Sequence, residues 1–145
     1  MTNKLLKLDI VTQEKRLLTV EVKQITVETI TGEITVLPNH IPLLTRLSEG
    51  LLHFVDKDGK SEVIAIFGGF LEVDAEGGVS VLADAATRAA DIDLAKVERA
   101  KKEAEETLKD KKRETEFALA EASLRRAYLE IKAAQKGNKP RHAQG

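Results

Sequence analysis

The pattern of the chain changes once, between Ala83 and Ala86, and that change limits the fold more than any single motif does. Before it, short apolar segments alternate with glycine-bearing turns. After it, alanine and charged residues follow a helical repeat, with few large apolar side chains. The two parts also differ in sign. Residues 1–86 carry 8 Lys/Arg against 13 Asp/Glu, a net of −5, and residues 87–145 carry 15 against 11, a net of +4. The whole-chain value of −1 therefore conceals an acidic body and a basic arm, an asymmetry that bears on partners rather than on fold.

In the first part, Val20, Val22, Ile25 and Val27 are spaced by two, three and two, as when a bulge shifts a strand's register by one. Asp56-Lys57-Asp58-Gly59 predicts a hairpin turn between Leu51–Val55 and Val63–Phe67, with Gly59 supplying the left-handed residue. Gly68-Gly69 marks a bend or a close backbone approach before Phe70–Val73. Ala75-Glu76-Gly77-Gly78 predicts a second hairpin, into Val79–Ala83. Short strands with turn signals every eight to twelve residues imply a sandwich or barrel, and the absence of a βαβ rhythm argues against a Rossmann-type sheet. Aromatics make up only 3% of the chain, so the core must be aliphatic.

In the second part, Asp91 or Asp93 can cap a helix and suits the positive end of its dipole. Leu94, Val97, Ala100 or Lys101, Ala104 and Leu108 then form a thin stripe, and the polar run Lys109–Arg113 predicts a turn. Phe117, Ala120, Leu124, Ala127, Ile131 and Ala134 repeat at alternating spacings of three and four, a two-position seam. Gly137-Asn138-Lys139-Pro140 is expected to stop the helix. Burial contributes about 0.8 kcal/mol per methylene-sized group, so a seam half made of alanine allows close approach but weak attachment. The expected class is α+β: an N-terminal β-sandwich of short antiparallel strands (1–86), a C-terminal two-helix antiparallel hairpin (87–136), and a disordered tail (137–145). The alternative for the second part is a static hairpin with a charged outer face.

Several chemistries find no support. There is no cysteine, hence neither disulfide nor thiolate metal site, and His40, His53 and His142 are scattered. Gly59-Lys60-Ser61 resembles the end of a phosphate loop, but Phe54 stands where its first glycine would be. No grouping suggests a nucleophile, base and orienter. The basic residues of the arm are interleaved with Glu98, Glu103, Glu105, Glu106, Glu114 and Glu116, which blunts any field that would track nucleic acid. No apolar run approaches the roughly 20 residues of a membrane span, and Met1-Thr2-Asn3-Lys4 lacks the apolar stretch of a secretion signal. The expectation is a soluble, cytoplasmic, non-catalytic protein.

The stretch Gly32-Glu33-Ile34-Thr35-Val36-Leu37-Pro38-Asn39-His40-Ile41-Pro42-Leu43-Leu44 resembles the G-E-x-x-x-x-P-x-H-x-P-L-L loop of the epsilon subunit of bacterial and organellar F-type ATP synthases. Gly68–Val73 is similar to that family's G-G-x-x-E-V strand, and Val79–Asp84 to the strand closing its sandwich. Asp91-Ile92-Asp93 followed by Glu98-Arg99-Ala100-Lys101 is similar to its first C-terminal helix. The resemblance runs from about Leu8 to Lys132.

The resemblance implies a rotor subunit of a proton-translocating ATP synthase, peripheral at the cytoplasmic face of the cell membrane and reaching the membrane only through the complex. The sandwich would link the gamma subunit to the c-ring. The helices would fold down or extend toward the alpha/beta catalytic hexamer and inhibit ATP hydrolysis. Glu33 is then expected to face the c-ring and His40 the gamma subunit. Arg99, Arg113, Arg125 and Arg126 would contact catalytic subunits from the extended arm, although each could equally be a solvated surface charge. Some bacterial members bind ATP through I/L-D-x-x-R-A at the first helix. Here Ile92, Asp93 and Lys96 occupy the matching positions, followed by Val97. Lysine lacks the planar fork of arginine and valine adds bulk, so no cofactor is expected, and ATP sensing is kept as one alternative. An unrelated β-sandwich adaptor with a helical partner-binding arm is the other.

Overall fold

The computed structural model describes residues 4–137, and residues 138–145 of the predicted tail lie outside them. The chain divides after Arg88 into two compact units.

The first unit holds seven strands: β1 (Leu6–Val11), β2 (Arg16–Thr29), β3 (Gly32–Val36), β4 (Leu43–Asp56), β5 (Ser61–Val73), β6 (Gly78–Ala83) and β7 (Ala86–Arg88). Their pairing closes a ring, β1–β6–β5–β4–β2 and back to β1, with β3 added beside β2 and β7 beside β5. Two expectations change. The strands are not uniformly short, because β2, β4 and β5 span 14, 14 and 13 residues. Nor is every pair antiparallel: β1 and β6 run parallel, Leu8 beside Val79 and Ile10 beside Val81. The chain crosses the whole domain between them, and a crossover of that length permits a parallel pair.

Bends come where the sequence supplies irregular residues. The β2–β4 ladder slips between Val22 and Gln24, within the interval where the apolar spacing changes. At Gly69 (φ 128°) a Cβ would stand 2.1 Å from the carbonyl oxygen of Leu82, so only glycine lets the backbones meet there. The two hairpins share one device. Asp56 Oδ1 accepts from Asp58 N and Lys60 N, each at 2.9 Å, and Asp74 Oδ1 accepts from Glu76 N and Gly78 N, each at 2.8 Å. In both, a glycine at positive φ (Gly59, Gly77) completes the turn.

The core is aliphatic with one aromatic, as the composition requires. Leu8, Ile10, Val22, Ile25, Val36, Leu52, Ile64, Leu71 and Val81 are sealed around Phe54, which is 1% exposed. The unit ends two residues later than the sequence implies. Ala86–Arg88 is not the start of the helical part but a strand against Ile64–Ile66. Three residues are too few for alternation to register, and two alanines flanking them on each side mimic the helical composition beyond.

The second unit opens with a single 3-10 turn, Ala89–Asp91, followed by α1 (Leu94–Lys109) and α2 (Phe117–Gly137). Asp93, not Asp91, caps α1, its carboxylate accepting from Lys96 N at 3.3 Å. The connection extends beyond the predicted Lys109–Arg113. Asp110 ends α1, accepts from Lys112 N at 3.0 Å, and so opens a 3-10 segment, Lys111–Glu116. On α2 the seam follows the expected repeat: Ala120, Ala127 and Ala134 are buried, with Phe117, Leu124 and Ile131 half-buried between them. On α1 the stripe holds at Val97 and Ala104, which are buried, and at Lys101 and Leu108, which are half-buried. Thr107 is buried as well, whereas Leu94 and Ala100 are exposed. Thr107 avoids the cost of a buried hydroxyl by donating to the Glu103 carbonyl at 3.0 Å.

Candidate functional site

The features that could serve a function lie on surfaces rather than in an enclosed cavity. Glu33 stands near the start of β3, exposed, directly across the β2–β3 ladder from Glu28. The turn before it is fixed by Thr29, which is buried and donates its hydroxyl to the Gly32 carbonyl at 2.6 Å. Gly32 (φ 120°) takes the conformation that lets β3 turn back. Two carboxylates side by side repel, so this corner favours a cationic or hydrogen-bond-donating neighbour.

His40 lies beyond the other end of β3. Asn39, in the left-handed conformation at φ 70°, turns the loop, and the His40 amide donates to the Leu37 carbonyl at 3.1 Å. The ring Nδ1 is 2.7 Å from the Ile41 carbonyl oxygen, which makes Nδ1 the protonated donor. Lys4 Nζ donates to Asn39 Oδ1 at 2.8 Å, tying the segment before β1 to this loop. A cleft of about 300 Å³ lies between them, lined by Lys4, Pro38, His40 and Glu76 among others. Since β3 separates Glu33 from His40, the two do not form one site.

The surface feature that the motifs did not reveal is an apolar strip on the outer face of one layer. Phe70 lies directly opposite Leu82 on β6, and Leu82 opposite Val11 on β1. On the other side Phe70 faces Arg46 of β4, with Leu44 one diagonal step away. Phe70, Leu82 and Leu44 are 50%, 59% and 68% exposed. Alternation carries the signal: Leu71, Val73, Val79, Val81 and Ala83 point inward, so Phe70 and Leu82 must point out, where polar residues are ordinary. An aromatic with aliphatic neighbours and a guanidinium at its edge is the composition of a protein–protein contact centre.

On the hairpin, the four arginines do not form a cluster. Arg113 sits at the helix connection in a non-helical conformation (φ −111°, ψ 30°), and its guanidinium bonds Glu116 through Nε at 2.5 Å and Nη2 at 3.3 Å. That pairing holds the Arg113 guanidinium above its usual range and the Glu116 carboxyl below its own. Arg126 pairs with Glu130 at 3.2 Å one turn on, and is roughly 20 Å along the hairpin from Arg113 by helical rise. Arg99 and Arg125 are exposed, on α1 and α2. Lys101 lies 5.1 Å from the Tyr128 ring centroid, a cation–π contact between the helices. Of the residues matching a nucleotide motif, Asp93 is engaged as the α1 cap, Ile92 is half-buried in the preceding turn, and Lys96 is exposed.

Among the described residues no group of His, Asp and Glu could hold a metal ion, and no helix is long and apolar enough to cross a membrane. Lys60 N, an amide that a phosphate loop would offer, is taken by Asp56, which disposes of the Gly59-Lys60-Ser61 likeness.

With this geometry in hand, the comparisons with known proteins agree. Residues 5–89 match the family described as ATP synthase, Delta/Epsilon chain, beta-sandwich domain, and residues 90–135 match its long alpha-helix domain. The chain is 41% identical over 130 residues (90% of this chain, 94% of the relative) to the ATP synthase epsilon chain of Herpetosiphon aurantiacus. It is 38% identical over 134 residues (92% and 96%) to that of Caldanaerobacter subterraneus subsp. tengcongensis. Among solved structures it resembles a chain of the Euglena gracilis mitochondrial ATP synthase, OSCP/F1/c-ring in rotational state 1. There the TM-score is 0.63 at 25% identity, covering 90% of this chain and 78% of that one. A chain from the central stalk/c-ring of the Tetrahymena thermophila mitochondrial ATP synthase shares the fold, with a TM-score of 0.56 at 13% identity over 92% and 99%. A closed strand ring, a capped two-helix hairpin, and two matching domain families in the same order lead to one assignment: the chain belongs to the ATP synthase delta/epsilon chain family.

Proposed function

We propose that this chain is a non-catalytic subunit of the central stalk of a proton-translocating ATP synthase, peripheral at the cytoplasmic face of the membrane. Its sandwich joins the gamma subunit to the c-ring. Its hairpin acts as a mobile arm that restrains ATP hydrolysis by reaching the alpha/beta hexamer. The observation that carries the docking half is the Val11–Leu82–Phe70–Leu44 strip, where exposed apolar side chains of neighbouring strands lie side by side, which suits a stable protein contact. We assign the strip to gamma, together with His40, and the Glu33 corner to the c-ring. The regulatory half is supported by the arm's net +4 charge and by its alanine seam. Arg99 then offers an exposed cation for catalytic subunits, and Arg125 contributes a second exposed charge. Arg113 and Arg126 must first exchange their carboxylate partners Glu116 and Glu130.

Co-purification with a cognate gamma subunit at moderate salt tests the docking half. Phe70→Asp should weaken the complex by about 30-fold or more, the scale of a truncated contact centre, while leaving the free chain folded. An unaltered complex would remove the strip from the interface. Truncation after Ala90 should raise ATP hydrolysis by the assembled enzyme without preventing assembly, and an unchanged rate would refute the inhibitory arm. The alternative of ATP sensing predicts millimolar or tighter ATP binding that is lost in Asp93→Ala; absence of calorimetric binding excludes it.

A further inference from the structure

The sandwich ends in a thin fastening. β7 is three residues long, pairs only with β5 among the described residues, and buries none of its residues fully although Ala86 packs against the core, whereas β6 immediately before it seals Val79, Val81 and Ala83. Ala86 pairs with Ile66 and Arg88 with Ile64, and one diagonal step further the Arg88 guanidinium closes an ion pair on Glu62 through Nη2. The bond is half-satisfied. Arg88 Nε is shielded from solvent and has no hydrogen-bond partner among the described residues. A guanidinium with one ion-pair partner and one unpaired buried N–H holds the strap less firmly than a fully satisfied one would, while loss of either charge would leave the other without its partner. Arg88 is also the last residue of the first unit, and the arm begins at Ala89.

We propose that β7 is a releasable strap and that the Arg88–Glu62 pair sets how often it opens. This inference rests on the mobile-arm reading above. Closed, the strap puts the root of the arm at Arg88. Open, it moves the root back to Asp84–Ala85, where Asp84 N still bonds the Gly68 carbonyl at 3.1 Å and the Ala85 carbonyl accepts from Phe67 N at 2.9 Å. Freeing three residues adds about 10 Å to the tether on which the arm moves. Because β6 before the strap stays sealed and β5 beneath it keeps its pairings with β4 and β6, opening is local rather than global. The pair is electrostatic and partly exposed, so salt and partner charges can bias it.

Hydrogen exchange on the full chain in solution tests the strap. Arg88→Gln and Glu62→Gln should each speed exchange across residues 86–88 by about tenfold, leaving β6 unchanged, and the charge-swapped pair Glu62→Arg with Arg88→Glu should restore slow exchange. Unaltered exchange at 86–88 in both single variants overturns the proposal, as does an equal acceleration in β6, which would report loosening of the whole sandwich. ATP hydrolysis by the assembled enzyme separates this outcome from the fate of the arm. If truncation after Ala90 has no effect while the strap variants still open, the arm reading fails and the strap stands. If truncation raises hydrolysis while exchange at 86–88 ignores both substitutions, the strap alone fails.

Discussion

The sandwich and the hairpin are built from the same alphabet with opposite emphasis. The first unit surrounds one aromatic with leucine, isoleucine and valine, in a ring of strands that leaves few free edges. Closing a sheet on itself removes most of the unpaired backbone that would otherwise invite other chains, and long strands shared between layers tie distant residues into one core. The second unit is held by alanine at Ala120, Ala127 and Ala134, by half-buried Phe117, Leu124 and Ile131, and by polar contacts such as Lys101 with Tyr128. Each alanine adds one methyl to the seam, about a third of what a buried leucine or isoleucine offers. One unit is thus a platform whose shape is over-determined, and the other an element held by a much thinner seam.

The contrast is broken most severely at Gly69. Gly69→Ala places a methyl 2.1 Å from the Leu82 carbonyl oxygen in a backbone conformation at φ 128° that L-residues avoid. We expect loss of the cooperative unfolding transition of the sandwich, read by near-ultraviolet circular dichroism and exchange in β5 and β6. A variant that melts like the parent would show that the two strands can part without consequence.

A smaller test measures the platform's packing against the arm's. Ile64→Ala removes a side chain that is 0% exposed and should cost about 2–5 kcal/mol, whereas Ala127→Gly in the α2 seam should cost about 1 kcal/mol, mostly from backbone entropy. Urea titration followed separately by exchange in β5 and in α2 reads the two. Equal costs would dissolve the distinction between platform and arm.

The capping of α1 lies next on this scale. Asp93→Ala should destabilise the start of α1 by about 1 kcal/mol, seen as faster exchange of residues 94–98, with Asp93→Asn nearly silent because it keeps the acceptor. If Asn and Ala behave alike, charge rather than capping gives Asp93 its role.

What could be read in advance follows from how many residues carry each signal. The bulge in β2 was legible because four apolar side chains define the register on both sides of it. Both hairpins were legible because Asp and Gly fix them locally, and the α2 seam because six positions repeat. β7 was not, since three residues make no period and its partner lies some twenty residues earlier in β5. The parallel β1–β6 pair depends on which strand ends meet in space, and nothing local to Leu8 or Val79 encodes that. On the surface, motif matching points to Glu33 and His40 but not to Phe70 and Leu82, whose exposure appears only once inward and outward faces are assigned. The arginines show the reverse limit. Arg113 and Arg126 look like free cations in the sequence, yet each has a carboxylate three or four residues away that engages it.

That last pairing gives the smallest predicted effect. Glu116 has its carboxyl lowered by the Arg113 guanidinium, through the hydrogen bond first and the charge second. A lowered pKa in the folded state means that the unfolded chain takes up its proton first as pH falls. The pair's contribution is therefore complete above the ordinary carboxylate value of 4.5 and is lost as pH drops through the folded value below it. Both groups are fully exposed, so solvent and salt screen the interaction. Comparing the parent with Glu116→Gln by helical circular dichroism, the parent hairpin should melt slightly higher at pH 7 in low salt. The difference should persist at pH 6, narrow below pH 4.5, and vanish in 1 M salt. A difference that instead grew on acidification would mean that Glu116 is better satisfied protonated than paired. The bend at Arg113 would then owe its shape to Asp110 and the 3-10 hydrogen bonds rather than to this ion pair.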